Sequence, residues 1–185
     1  YLGYLVVSDI IRSNAAEALA ELKAKGVERI VMLTGDREKS AAAVAKKLGI
    51  DEYHAELLPQ DKVSVLQKIL EENTEGKTAF IGDGINDAPV LAAADVGIAM
   101  GAIGSDAAIE AADVVLMRDD LGRLAEGIRI ARKTKVIVHQ NIVFALGVKI
   151  LVMILSVFGK ANMWMAVFAD VGVAVIAILN AMRAR

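Results

Sequence analysis

The chain has 185 residues, 56% of them apolar, and a formal net charge of -2; its mean hydropathy of +0.49 is high for a purely soluble domain. It contains no cysteine, which excludes disulfides and thiolate metal sites within it, and no basic stripe with interleaved aromatics supports a nucleic-acid partner. The length suits one ordinary domain plus an appendage, and the apolar excess is concentrated after Lys135.

No cleavable signal opens the chain, and a start on Tyr1 points to a piece of a longer protein. Gly3–Ser8 reads as a strand, and Asn14–Lys25 as an amphipathic helix ended by Gly26. Arg29–Leu33 is the next strand, broken at Thr34-Gly35-Asp36 and followed by a helix through about Leu48. Asp61–Glu72 is predicted helical, with Pro59 near its start; Thr78–Ile81 is a strand that stops at Gly82-Asp83-Gly84. Asn86–Ala94 is a short helix, Val96–Met100 a strand, Asp106–Ala111 a short helix and Asp113–Leu116 a last strand. Strands alternating with helices in this way imply βαβ crossovers and a parallel sheet covered on both faces.

After Lys135 the pattern changes. Residues 136–158 are apolar but for a few positions, Lys149 and Ser156 among them, and residues 163–182 are interrupted by Asp170 and Asn180. Each run approaches the roughly 20 residues that cross a bilayer core. The four residues Gly159–Asn162 between them make the pair an antiparallel hairpin. Arg129, Arg132, Lys133 and Lys135 precede the first run, and Arg183 and Arg185 follow the second, so both outer ends are expected on the cytoplasmic side. Lys149 lies ten residues before Gly159 and Asp170 eleven after it. At about 1.5 Å per residue both sit near the midplane. An ionised side chain there costs at least about 2.5 kcal/mol, so the two are expected to pair or to exchange partners with a metal cation. Trp164 fits an interfacial anchor. His139 is expected at the interface and His54 on a plain surface loop.

Ligands of an open parallel sheet bind beyond the carboxyl ends of its strands, where Thr34-Gly35-Asp36, Lys62, Gly82–Asp87 and, after the first strand, Asp9 and Arg12 can converge. These residue types suit phosphoryl transfer. The Thr34 hydroxyl and the Thr34 and Gly35 amides can donate to phosphate oxygens, and Lys62 can neutralise charge on the transferring group. Asp83 offers a hard oxygen for Mg²⁺, which takes only one or two carboxylates and keeps its waters. Gly82 and Gly84 allow close backbone approach, and Asn86 and Asp87 can hold the water shell or Lys62.

TGD, then PxxK, then GDGINDAP, in that order and spacing, resembles the phosphorylation domain of P-type ATPases, a branch of the haloacid dehalogenase-like fold. The resemblance implies an α/β, Rossmann-like parallel-sheet domain over residues 1–135, followed by the last two transmembrane helices over residues 136–185. It implies contacts of Thr34 and Lys62 with an aspartyl-phosphate, Mg²⁺ on Asp83, a site completed by Asn86 and Asp87, and a nucleotide-facing hinge at Asp36, with Asp9 and Arg12 beside it. An intramembrane lysine followed by Asp-x-Gly, here Lys149 and Asp170-Val171-Gly172, resembles the zinc/cadmium/lead group. That resemblance makes Asp170 a ligand of the transported Zn²⁺, Cd²⁺ or Pb²⁺ and Lys149 its counter-charge. It implies ATP as energy source, membrane lipid and the rest of the same ATPase as partners, and a bacterial or archaeal plasma membrane with the phosphorylation domain cytoplasmic. The phosphorylated aspartate of the family's Asp-Lys-Thr-Gly-Thr motif is absent, as are the nucleotide-binding and actuator domains and the Cys-Pro-Cys helix, so the chain alone is expected not to turn over ATP. A soluble haloacid dehalogenase-like phosphatase would need its own Asp-x-Asp nucleophile and leaves the apolar tail unexplained. A catalytically silent membrane-anchored module is the other alternative.

Overall fold

The computed structural model describes residues 10–73, 75–82, 85–101, 106–118 and 120–184, in two compact units, Tyr1–Ala125 and Glu126–Arg185. The strand predicted at Gly3–Ser8, together with Asp9, Asp83 and Gly84, lies outside the described residues.

In the first unit, α1 (Ala15–Ala24) buries Ala15, Ala18, Leu19 and Leu22, the i, i+3, i+4, i+7 stripe of an amphipathic helix. β1 (Val31–Leu33) is followed by α2 (Glu38–Leu48), which ends on Gly49 at φ +65°, a left-handed stop that glycine adopts without steric cost. Next come β2 (Glu52–His54) and α3 (Pro59–Glu72). β3 (Ala79–Gly82) leads through a 3₁₀ turn at Ile85–Asp87 into α4 (Ala88–Ala93), then β4 (Val96–Met100), α5 (Asp106–Ala111) and β5 (Val114–Leu116).

All described strand pairs are parallel. β1 pairs with β2, placing Val31 opposite Glu52 and Leu33 opposite His54; β4 lies between β3 and β5, with Ile98 opposite both Ile81 and Val114. Among the described residues the ladders are a parallel pair and a parallel triplet, in line with the expected parallel-sheet domain. β4 is the buried strand, and its unbroken apolar run Val-Gly-Ile-Ala-Met is what burial on both faces requires. α4 presses Val90 and Leu91 into the interior, and Leu91, Ala99 and Ala108 form a core edged by Phe80, Ala111, Ala112 and Val115. β2 escaped the sequence reading because Glu-Tyr-His has no apolar alternation. His54, expected on a surface loop, is a strand residue with Nε2 2.8 Å from Glu52 Oε1.

One device recurs at the amino ends of the strands. Asp51, just before β2, accepts the Ile30 amide at 2.8 Å; Asp95, just before β4, accepts the Thr78 amide at 3.0 Å; Asp113, just before β5, accepts the Gly97 amide at 2.8 Å. Lys23 lies 2.6 Å from Asp51, and Lys77 lies 2.7 Å from Asp95. Their ammonium groups, followed by the backbone amides, hold both carboxyls below the usual range. A depressed carboxyl contributes stability that is full above its ordinary value and disappears as pH falls through its folded value. Asp95→Asn is therefore expected to flatten the loss of stability below about pH 4, read as the urea midpoint against pH. An acid limb identical to wild type would contradict the assignment.

The second unit is helical. Most of α6 (Gly122–Val157, 36 residues) lies in it, and Met163–Ala184 is a second long helix; both are apolar and long enough to cross a membrane. Gly159, at φ +68°, turns the chain between them. The second helix is not uniform: α7 (Met163–Val167) passes into a π turn at Phe168–Gly172, then α8 (Val173–Ala181) and a 3₁₀ end at Met182–Ala184.

Candidate active site

The loop after β1 is closed by its own backbone. The Thr34 amide donates to the His54 carbonyl at 3.0 Å, the Leu57 amide to the Thr34 carbonyl at 3.1 Å and the Glu56 amide to the Asp36 carbonyl at 2.9 Å. The Thr34 hydroxyl donates to Asp36 Oδ2 at 3.0 Å and accepts the Asp36 amide at 3.0 Å. Thr34 and Asp36 thus form one local unit. The Thr34 amide, expected to face a phosphate, is instead committed to the strand ladder, because β2 extends beside it.

The segment bonded to this loop delivers Lys62. Pro59 occupies the first turn of α3, where its missing N–H is no loss, and Asp61 Oδ2 accepts the Leu58 amide at 3.0 Å. Lys62, one residue further, sends its ammonium to Asp87 Oδ1 at 2.8 Å. The pair is desolvated: the side chains are 18% and 12% exposed, and Asp87 is the buried polar residue among those described. Asp87 ends the 3₁₀ turn and sits at the N-cap of α4, where a carboxylate complements the positive helix end. Gly82 stands directly beneath. A Cβ there would come within 2.8 Å of Asp87 Cβ and 3.1 Å of Asp87 Oδ2, so a side chain would push the carboxylate off Lys62.

Among the described residues no cluster of three metal-ligating side chains is present, and Asp87 is the carboxylate of this pocket. Its Oδ2 lies in a cradle that a Cβ on Gly82 would fill and is a hard oxygen of the kind that suits a Mg²⁺ keeping most of its waters. Asp83, the expected principal ligand, lies outside the described residues. Asn86 is exposed in the 3₁₀ turn, and Arg12 is exposed ahead of α1 with its carbonyl accepting the Ala15 amide.

In the helical unit Lys149 Nζ lies 3.4 Å from Asp170 Oδ1, at the edge of a cleft of about 510 Å³ also lined by Ser156, Asn162 and Ala166. Asp170 stands inside the π turn, a distortion common where helices bear function. A Cβ on Gly172 would come within 2.6 Å of the exposed Phe168 ring, which would have to swing aside. Trp164 and His139 are exposed.

The family model of haloacid dehalogenase-like hydrolases matches residues 1–95. The chain belongs to the haloacid dehalogenase-like hydrolases. Within that family its similarity runs nearly the whole length to heavy-metal P-type ATPases. It is 57% identical over 183 residues to a zinc-transporting ATPase of Synechocystis sp., covering 99% of this chain and 25% of that protein. It is 54% identical over 187 residues to a cadmium, zinc and cobalt-transporting ATPase of Bacillus subtilis, covering 99% and 26%. A crystal structure of a zinc-transporting PIB-type ATPase in the E2.Pi state superposes with a TM-score of 0.86 at 43% identity, over 95% of this chain and 28% of that one. The chain spans about a quarter of the length of the curated relatives it matches.

Two features of this haloacid dehalogenase-like chain escaped the sequence reading. Arg29 bonds Glu52, which holds the Glu52 carboxyl below its ordinary range, and Tyr53 donates to Glu38 at 2.6 Å; neither contact follows from spacing, because both cross between elements. Asn141 also went unmarked. An amide on an apolar helix at the depth of Asn180 was the available signal.

Proposed function

We propose that this chain is the C-terminal part of an ATP-driven exporter of divalent heavy-metal cations, Zn²⁺, Cd²⁺ or Pb²⁺, working through an aspartyl-phosphate supplied from elsewhere in the same protein. Residues 1–135 are its phosphorylation domain and 136–185 its last two membrane helices, set in a bacterial or archaeal plasma membrane with the phosphorylation domain in the cytoplasm. The observation that carries this reading is the coexistence in one chain of the desolvated Lys62–Asp87 pair and an oppositely charged Lys149–Asp170 pair between two apolar helices.

In this reading Asp87 keeps the Lys62 ammonium aimed at the transferring phosphoryl group, where a preorganised positive charge stabilises the transition state. Thr34 contacts the phosphoryl group through its hydroxyl, while Gly35 and Asp36 shape the loop. Asp36 also faces the nucleotide-side hinge. Mg²⁺ on Asp83 and Asp87 would neutralise phosphate charge, with Asn86 ordering its waters. ATP binds on domains outside this chain. In the membrane, Asp170 offers the carboxylate oxygen that suits borderline and hard divalent ions, and Lys149 takes the carboxylate back as the ion departs. The Lys149 and Asp170 side chains are 57% and 78% exposed on the hairpin, as expected if earlier helices of the same ATPase cover them; bare contact with lipid would be costly.

The test is metal-stimulated ATP hydrolysis by the full-length protein in vesicles, with Asp170→Ala alongside. The variant is expected to lose at least tenfold of the metal stimulation yet still accept phosphate from inorganic phosphate. Equal zinc affinity in the two proteins would remove Asp170 from the ligand set, and a wild type indifferent to metal would sink the exporter reading.

A further inference from the structure

A second polar contact joins the two apolar helices. Asn180 Nδ2 donates to Asn141 Oδ1 at 2.9 Å, Asn141 Nδ2 donates to the Ala177 carbonyl at 3.1 Å, and Arg183 bonds Asn180 Oδ1 at 2.9 Å. Asn141 therefore bonds its neighbour twice. Amide pairs between apolar helices act as positional locks, because each alternative register strands polar groups in an apolar medium.

The spacing of the two contacts does not match on the two helices. From Asn141 to Lys149 is eight residues; from Asp170 to Asn180 is ten. As ideal α-helices these spans would rise about 12 and 15 Å, so the Asn–Asn bond and the Lys–Asp contact would be out of step by about half a turn. The π turn at Phe168–Gly172 straddles the Asp170 end of the longer span and overlaps it from Asp170 to Gly172. A π turn places an extra residue in one turn with little added length and rotates the following face by about 100°. The length of the Lys149 side chain takes up the remainder.

We infer that the Asn141–Asn180 bond and the π turn together form a register device that brings Asp170 level with Lys149, which makes Asn141 and Asn180 positioning residues for the ion pair. The claim about register stands on the hairpin alone; its bearing on metal handling rests on the function proposed above.

The test uses the full-length ATPase in membrane vesicles treated with dicyclohexylcarbodiimide, a lipid-soluble reagent that joins an amine and a carboxylate already in contact. Cross-linked Lys149–Asp170 peptide is quantified by mass spectrometry without any metal. Wild type is expected to give the cross-link. Asn141→Leu/Asn180→Leu, and separately a deletion of Val171 that returns the π turn to α geometry, are expected to reduce it at least fivefold. The asparagine variant should also raise the zinc concentration for half-maximal ATPase at least tenfold while leaving phosphorylation from inorganic phosphate unchanged, a split that general misfolding does not give. Asn180→Leu alone is the milder variant and should show the same direction. Cross-link yields equal to wild type in the variants, or no cross-link in wild type, would overturn the register device. A wild type that cross-links as expected but ignores zinc would instead sink the exporter reading and leave the register claim standing.

Discussion

Lys62→Met is expected to cost about 3 kcal/mol of stability, because it leaves the Asp87 carboxylate in a site that is 12% exposed without its counter-ion. Asp87→Asn should cost less, since the lysine it frees sits on a flexible stem that can turn its ammonium to water. The double variant should recover most of the single-lysine loss, because two neutral groups in that space need no mutual charge. Activity should not follow that order. If the Lys62 ammonium meets charge on the transferring phosphoryl group, Lys62→Met and the double variant should both lose about 10²–10³ in phosphoenzyme formation. Urea unfolding followed by circular dichroism and acid-stable phosphoenzyme counts separate the two effects. Equal stability of Lys62→Met and wild type would mean that water reaches the pair.

Gly97→Val should be as damaging, from the opposite side of the same helix. A Cβ at Gly97 would stand 2.5 Å from the Leu91 carbonyl oxygen and 3.0 Å from its carbon. Both are backbone atoms, so no rotamer change relieves the clash and α4 itself must move. Val90 and Leu91 are fully buried on that helix, and overpacking of this kind costs about 3 kcal/mol. Since Asp87 is the N-cap of α4, the displacement should also pull its carboxylate away from Lys62. The expected result is a lowered unfolding midpoint together with loss of phosphoenzyme. Gly127 is the matched control. Nothing lies within 4 Å of where its Cβ would be, and Gly127→Ala in α6 should be neutral or gain up to about 1 kcal/mol.

β4 and α5 are where the sequence reading and the structure coincide to the residue, because an apolar run bounded by Asp95 and Gly101 and a short helix opening on Asp106 carry their own stop signals. β2 was illegible. Its three residues owe their strand to the partner β1, a relation that local pattern does not encode. The residues proposed for the phosphoryl site were picked out by type and by motif. Their mutual geometry was only partly so: the contact of Lys62 with Asp87 depends on where α3 and α4 meet, and the Thr34 amide is taken by a strand the sequence did not disclose. In the membrane pair, equal depth from the Gly159 turn already placed Lys149 beside Asp170. The π turn left no trace in hydropathy, since Phe168–Gly172 reads like any stretch of that helix apart from its aspartate.

Asp51, Asp95 and Asp113 each fasten a neighbouring backbone amide at the base of the strands, the margin farthest from Thr34 and Asp87. Like the ribs of a fan gathered at the handle, the strands are held at that margin by carboxylates, whereas at the other margin backbone bonds such as Thr34 to His54 and Gly101 to Leu116 hold them. Protonation of Asp51 and Asp95 therefore slackens the handle and leaves the backbone bonds of the opposite rim in place.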